Sequence, residues 1–174
     1  CGWQNHRTAL MREAWMAWLN WLHNTPLALS MRQSEWLYPT VEILHILGFC
    51  ALVGAAALFD LRLLGVSRQI PVQQMAAHLL PVAWVGFGLA APSGFLLLLS
   101  DAQSIGASPI FLSKLVLIGL AGVNALVFHT RTARSLPAWN EHTQPPLTAK
   151  LSALFSLGVW ITVIALGRLI AYYG

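Results

Sequence analysis

The sequence contains few charged residues. Lysine, arginine, aspartate and glutamate together make up 9% of its 174 residues, whereas an ordinary soluble domain has about 25%. Apolar residues make up 57%, and a soluble domain of this length buries only about 70% of the surface that its unfolded chain exposes. The composition therefore argues strongly against a water-soluble protein, and it excludes a disordered chain because such chains are polar.

Cysteine and catalytic motifs are also scarce. Only Cys1 and Cys50 occur, which excludes a disulfide scaffold. The motifs HExxH, GxSxG and CxxC and a glycine-rich phosphate loop are all missing from the sequence, so no hydrolytic or nucleotide chemistry is indicated. The net charge of +4 comes from scattered residues, which is typical of membrane loops and not of a nucleic-acid surface.

Long apolar stretches are the main feature that is present. A membrane-spanning helix needs about 20 mostly apolar residues, and residues 38–60, 79–100, 112–130 and 149–172 meet this requirement. Because lipid cannot satisfy backbone polar groups, each stretch must be a helix. The short connections predict an all-α integral membrane protein whose residues 38–174 form an up-down four-helix transmembrane bundle in contact with the lipid bilayer.

Small residues inside these stretches predict close packing between the helices. The glycines concerned are Gly48, Gly54, Gly86, Gly88, Gly119 and Gly122.

The arginines of the connections predict the orientation. Residues 61–78 and 131–148 carry arginine, whereas residues 101–111 carry neither arginine nor lysine. By the positive-inside rule the first two connections are cytoplasmic, and both termini of this multi-pass protein are periplasmic in a bacterial inner membrane. Three arginines in the N-terminal segment count against this orientation. The arginines of the connections are Arg62, Arg68, Arg131 and Arg134.

Residues 1–37 form a tryptophan-rich arm that is too polar to span a membrane. Met11, Trp15, Trp18 and Leu22 fall near one face of a helix, and tryptophan prefers the headgroup level. We expect an amphipathic helix on the outer membrane surface, followed by a short helix that Thr25-Pro26 opens. The arm serves either as a membrane anchor or as a docking surface for a partner protein.

Cys1 stands at the first position in place of Met. We expect a processed or truncated start, and an acylated, lipoprotein-type cysteine is the alternative.

Ionisable residues inside the stretches are costly in lipid and therefore informative. Glu42 and Arg168 lie at similar depth from the outer ends of their stretches, so we expect a structural ion pair between them. His45 follows Glu42 by one helical turn. It is either a hydrogen-bonded core histidine or a contact to a metal or a quinone, in which case Glu42 and His45 pass protons to the quinone.

Two further histidines lie near the opposite membrane face. His78 begins the second stretch and His129 ends the third. Two imidazoles from two helices at one level are what axial ligation of a haem b iron requires. The alternative is that His129 pairs with Asp60, which lies at the same edge, and that His78 is a solvated interfacial residue.

Several short motifs resemble one known family. Trp36-Leu37-Tyr38-Pro39, the run from Glu42 to Gly48 and the run from Asp60 to Gly65 are similar to a family of bacterial four-span inner-membrane proteins whose function is uncharacterised. The resemblance extends from about Thr25 to Tyr172, and it implies four spans and a membrane location but no reaction. The His-x-x-Gly stretch is also similar to one in membrane b-type cytochrome subunits.

Three functions remain open at this point. The leading hypothesis is a small subunit of a larger membrane complex that binds haem b through His78, His129 or His45, or that faces a quinone, and transfers electrons without a catalytic motif of its own. The alternative is a cofactor-free accessory subunit whose arm docks other membrane or periplasmic subunits. The third is a small transporter that uses Glu42, His45 and Arg168.

Overall fold

A computed structural model describes residues 2–131 and 144–173, and every regular element in these two segments is a helix. Four of the helices are long and apolar enough to cross a membrane. The prediction of an all-helical fold with four candidate membrane-spanning helices is therefore confirmed for the described residues. The elements are α1 (Gly2–His23), α2 (Pro26–Gln33), α3 (Leu37–Leu64), α4 (Val72–Ser100), α5 (Ala102–Ala107), α6 (Pro109–Thr130) and α7 (Leu147–Tyr173).

The helices extend beyond the predicted apolar stretches, as far as the glycine and proline residues that end or begin a helix. Helix α3 continues to Leu64 and ends at Gly65, whose φ of 108° places it in the left-handed region that closes helices. Helix α4 begins directly after Pro71, seven residues before the predicted start at residue 79. Helix α6 begins at Pro109, which has the fixed φ that suits a first helical position. The predicted loops are correspondingly shorter, and residues 101–111 contain α5.

The orientation argument placed Arg62 in a loop, but the structure places this residue inside α3. Its side chain is 1% exposed, because the guanidinium group turns back onto the α3–α4 connection. Nε donates to the carbonyl oxygen of Ile70 at 2.6 Å, and Nη2 donates to that of Arg68 at 3.3 Å. Arg62 thus satisfies backbone carbonyls of the turn. Arg134, used in the same argument, lies outside the described residues.

The four long helices pack in the order α4, α3, α7, α6. Helix α3 packs on α4 and α7, and α7 packs on α6, whereas α4 and α6 make at most marginal contact in the described chain. Polar pairs join neighbouring helices inside the apolar region. Asn124 of α6 and Ser152 of α7 exchange two hydrogen bonds, and Asp60 of α3 bonds to Ser156 of α7. The separation of α4 from α6 leaves a space between the four helices.

The closest approach between α3 and α4 occurs at two glycines. A Cβ atom on Gly48 would lie 2.7 Å from the backbone nitrogen of Ala90, and one on Gly86 would lie 2.5 Å from that of Leu52. The expectation of close packing is confirmed at these two positions. It is wrong for Gly54, Gly88, Gly119 and Gly122, where an added Cβ meets nothing within 4 Å, because these glycines do not face a neighbouring helix.

Alanine substitutions test this crossing. Gly86→Ala places a methyl group against the α3 backbone, and overpacking of this kind costs about 1–3 kcal/mol. Gly88→Ala lies on the same helix in open space and gains about 1 kcal/mol of helix propensity. We expect thermal unfolding in detergent, followed by circular dichroism, to give a lower midpoint for Gly86→Ala and an unchanged or higher one for Gly88→Ala. Equal midpoints would contradict the close crossing.

Candidate ligand cavity beneath the N-terminal arm

The space between the four long helices forms a cavity of about 720 Å³. It lies in the half of the helices next to α1, α2 and α5, which we call the arm end. All four long helices line it, and most of its wall is apolar. Eight aromatic side chains contribute to this wall: Trp15, Trp18, Tyr38, Phe49, Phe87, Phe95, Phe111 and Trp160.

Helix α1 closes the cavity at the arm end. Trp15 and Trp18 line the cavity and stack on each other with 5.1 Å between ring centroids. The Trp15 indole Nε1 donates to the carbonyl oxygen of Gly106 at 3.2 Å. Leu19 and Leu22 are buried against the end of α4 and the start of α5. The arm therefore packs on the long helices through one face.

The sequence identified this face only in part. It assigned Met11 to the apolar face, but Met11 is 65% exposed, and it did not assign Leu19, which is fully buried. The burial of Leu19 depends on Gly106, where any added Cβ would collide with the leucine side chain. Such a contact between α1 and α5 has no local sequence signal.

Helix α2 holds α1 in place. Thr25 caps α2, since its Oγ1 accepts a hydrogen bond from the Ala28 backbone nitrogen at 3.3 Å, and Pro26 follows as the first helical residue; this start was predicted. Arg32 near the end of α2 donates to the carbonyl oxygen of His23 at 2.8 Å and to that of Ser100 at 3.4 Å. One side chain thus ties α1, α2 and α4 together.

His45 lies in the cavity wall with a defined tautomer. Its Nδ1 is 2.9 Å from the carbonyl oxygen of Ala90 and 3.2 Å from the Ser93 hydroxyl. Because a carbonyl oxygen only accepts, Nδ1 carries the proton and donates, so Nε2 is left with its lone pair. Nε2 has no hydrogen-bond partner among the described residues. The ring rests on Gly94, where an added Cβ would lie 2.9 Å from Cε1.

Lys114 of α6 lies across the cavity and is half-buried. It is close enough to His45 for the charges of the two side chains to interact. Its Nζ extends toward Gly167 of α7, where an added Cβ would be 3.3 Å away. No hydrogen bond or ion pair of Lys114 is found within the described segments. The sequence analysis assigned no role to Lys114, because the helix that this residue faces could not be predicted.

The structure does not bring Glu42 and Arg168 together. Both are exposed, and Arg168 instead donates to the hydroxyl of Tyr172 at 2.8 Å, with its Cζ 4.9 Å from the centre of that ring. Glu42 acts electrostatically on Tyr38 and His45 of its own helix. Similar depth suggested the pair, but depth alone does not decide which faces of α3 and α7 meet.

The structure does not bring His78 and His129 together either. Both are exposed, on two helices that make at most marginal contact in the described chain. The His78 Nδ1 is 2.8 Å from the carbonyl oxygen of Gln74 in its own helix, and His129 contacts the ring of Phe128. Asp60 is 6% exposed and bonds to Ser156 instead of His129.

No protein-family model, curated protein or solved structure matches this chain. The family resemblance drawn from the motifs therefore stays a prediction.

Exchange of amide hydrogens tests the packing of the arm. Leu19→Asn places a polar group in the buried contact between α1 and α5, whereas Trp21→Asn changes a side chain that is 65% exposed. We expect faster deuterium uptake across residues 9–23 in Leu19→Asn and unchanged uptake in Trp21→Asn, because buried contacts protect a helix from local opening. Equal uptake in the two variants would contradict a packed arm.

Proposed function

We propose that this protein is a small membrane subunit that binds a quinone in the cavity beneath the arm and takes part in electron transfer within a larger complex. The observation that carries the proposal is the presence of an imidazole acceptor and an ammonium donor in the wall of one mostly apolar cavity. Ligand cavities have this composition, with apolar walls and a few polar groups that fix orientation. A quinone has the matching chemistry, since its ring is flat and apolar and carries an oxygen at each of two opposite positions.

His45 and Lys114 have complementary roles toward such a ring. The Nε2 lone pair of His45 accepts a hydrogen bond from a quinol hydroxyl, and the Lys114 ammonium group donates to a quinone oxygen. Oxidation of a quinol releases two electrons and two protons. His45 is placed to take one proton, and the carboxylate of Asp101, which also lines the cavity, is placed to take the other. Both electrons pass to a redox centre in a partner subunit. The isoprenoid tail leaves between α4 and α6, which do not close on each other.

The geometry supports the quinone hypothesis more than the haem hypothesis. An axial haem pair needs two imidazoles that face one iron, and His78 and His129 lie on the exposed surfaces of separated helices. A pyridine haemochrome spectrum of the purified protein distinguishes the two hypotheses, because stoichiometric haem b would contradict our preference for the quinone.

The proposal includes the predicted topology. Four spans in up-down order place the arm end on one side of the membrane and the α3–α4 turn on the other. Arg68 in that turn and Arg131 at the same end of the bundle, directly after α6, favour a cytoplasmic turn and periplasmic termini in a bacterial inner membrane. The arm then lies at the periplasmic surface, where a partner of the electron-transfer complex can reach the cavity.

Two substitutions of one residue test quinone binding. In His45→Asn the side-chain amide can still donate to the Ala90 carbonyl, but the acceptor at the Nε2 position is lost. In His45→Gln the amide reaches the Nε2 position and supplies an acceptor there. We expect about tenfold weaker binding of a short-chain quinol for His45→Asn, the value of one hydrogen bond, and a smaller loss for His45→Gln.

The measurement is quenching of the tryptophans that line the cavity, with the full-length protein in detergent. His78→Asn is the control, since His78 lies far from the cavity lining, and it should bind the quinol as the unmodified protein does. Unchanged affinity in both His45 variants would overturn the proposal.

A partner-docking accessory role is the second candidate, and the outward face of α1 favours it. Leu10, Met16 and Trp21 are exposed on the sides of α1 that turn away from the buried contact. Serine substitutions of Leu10 and Trp21 should release a co-purifying subunit while thermal stability and quinone binding stay unchanged. Retention of the subunit would contradict this role for the arm.

A further inference from the structure

We propose that a second, smaller cavity beside Lys114 binds the phosphate group of an anionic phospholipid. This cavity has a volume of about 320 Å³ and lies between α3 and α7. It shares His45, Phe49, Lys114 and Gly167 with the larger cavity, but it alone reaches Arg168. The inference concerns a ligand different from the quinone and does not depend on it.

Two cations without a carboxylate partner border this cavity. No acidic residue lines it, and among the described residues neither Lys114 nor Arg168 forms an ion pair. Lys114 is half-buried, and an unbalanced charge away from water is costly in a membrane protein. An anion between Lys114 and Arg168 would balance both charges.

The level of the two cations matches the headgroup region. Arg168 is bonded to the hydroxyl of Tyr172, and tyrosines near helix ends lie at the interface between lipid and water. Lys114 is the sixth residue of α6, which places it about 8 Å from the helix start along the axis. A lipid phosphate occurs at this level, and arginine and lysine both bind phosphate oxygens strongly.

The remaining wall of the cavity suits an acyl chain. Ile46, Val163 and Ile164 line it, and Ile46 and Ile164 are each about half exposed. The cavity is thus continuous with the lipid-facing surface of α3 and α7. A phospholipid can place its phosphate between the two cations and one chain along this apolar surface, whereas a free phosphate ion would leave that surface unused.

Snorkelling to water is the ordinary alternative for such cations. It accounts for Arg168, whose side chain is exposed, but less well for Lys114, which is half-buried. The ammonium group of Lys114 lies beside Gly167 of the neighbouring helix, 3.3 Å from the position of an added Cβ. The missing side chain at Gly167 leaves room for that group at the boundary of the two cavities.

Native mass spectrometry of the full-length protein tests the proposal. The protein is released from vesicles of equal parts phosphatidylglycerol and phosphatidylcholine. We expect phosphatidylglycerol to be retained preferentially, and Arg168→Gln and Lys114→Met to lower this preference about tenfold, the effect of losing one charge-assisted hydrogen bond. Arg131→Gln is the matched control, because Arg131 is an exposed cation at the far end of α6, and it should keep the preference.

Three outcomes would overturn the proposal. They are equal retention of the two lipids by the unmodified protein, an equal loss in Arg168→Gln and Arg131→Gln, and preferential retention of a free fatty acid when one is added. Circular dichroism of each variant confirms that it is folded before the comparison is made.

Two further variants test the lipid proposal and the quinone proposal independently of each other. Arg168 lines only the smaller cavity, so Arg168→Gln should leave quinol binding unchanged. Ala91 lines only the larger cavity, so Ala91→Trp should weaken quinol binding and leave the preference for phosphatidylglycerol unchanged.

Discussion

The close crossing of α3 and α4 at Gly48 and Gly86 determines the shape of the membrane-embedded part. Backbones that approach this closely leave no room for a side chain between them. Helix α4 is therefore held on α3 and turned away from α6, which packs on α7. The side chains of the four long helices do not fill the space that remains between them, so a cavity is left. Close approach without side chains is the usual way in which helices associate in lipid, where apolar burial provides little driving force.

Some polar side chains in the four long helices are paired across helix contacts, and others are not. Asn124 with Ser152, and Asp60 with Ser156, are paired across helix contacts, as lipid demands of any polar group that it surrounds. His45 is paired through one nitrogen only, and Lys114 has no protein partner among the described residues. Unpaired polar atoms also occur away from the cavities, since the buried Oδ2 of Asp60 and the buried Oγ of Ser108 have no hydrogen-bond partner among the described residues. His45 and Lys114 differ from them because they border a cavity.

The arm closes the larger cavity at the arm end of the four long helices. Trp15 and Trp18 belong both to α1 and to the cavity wall, so the position of α1 and the volume open to a ligand are coupled. Arg32 connects the arm with the end of α4, which itself carries much of the cavity lining. A protein partner on the outer face of α1 would therefore act on the same element that covers the ligand.

Sequence alone determined the class of the protein and the number of its long helices, because the scarcity of charge and the length of the apolar runs follow directly from the properties of lipid. It also determined local features such as the Thr25-Pro26 start of α2, which depends only on neighbouring residues. It did not determine which helices touch, since depth in a membrane says nothing about the direction in which a helix face points. For this reason Glu42 was predicted to meet Arg168, a pair that is not formed, and similar depth suggested that His78 and His129 could hold one haem iron, although the two helices that carry them make at most marginal contact in the described chain. Only the tertiary structure placed His45 and Lys114 on one cavity, because that juxtaposition depends on two glycines that hold α4 away from α6.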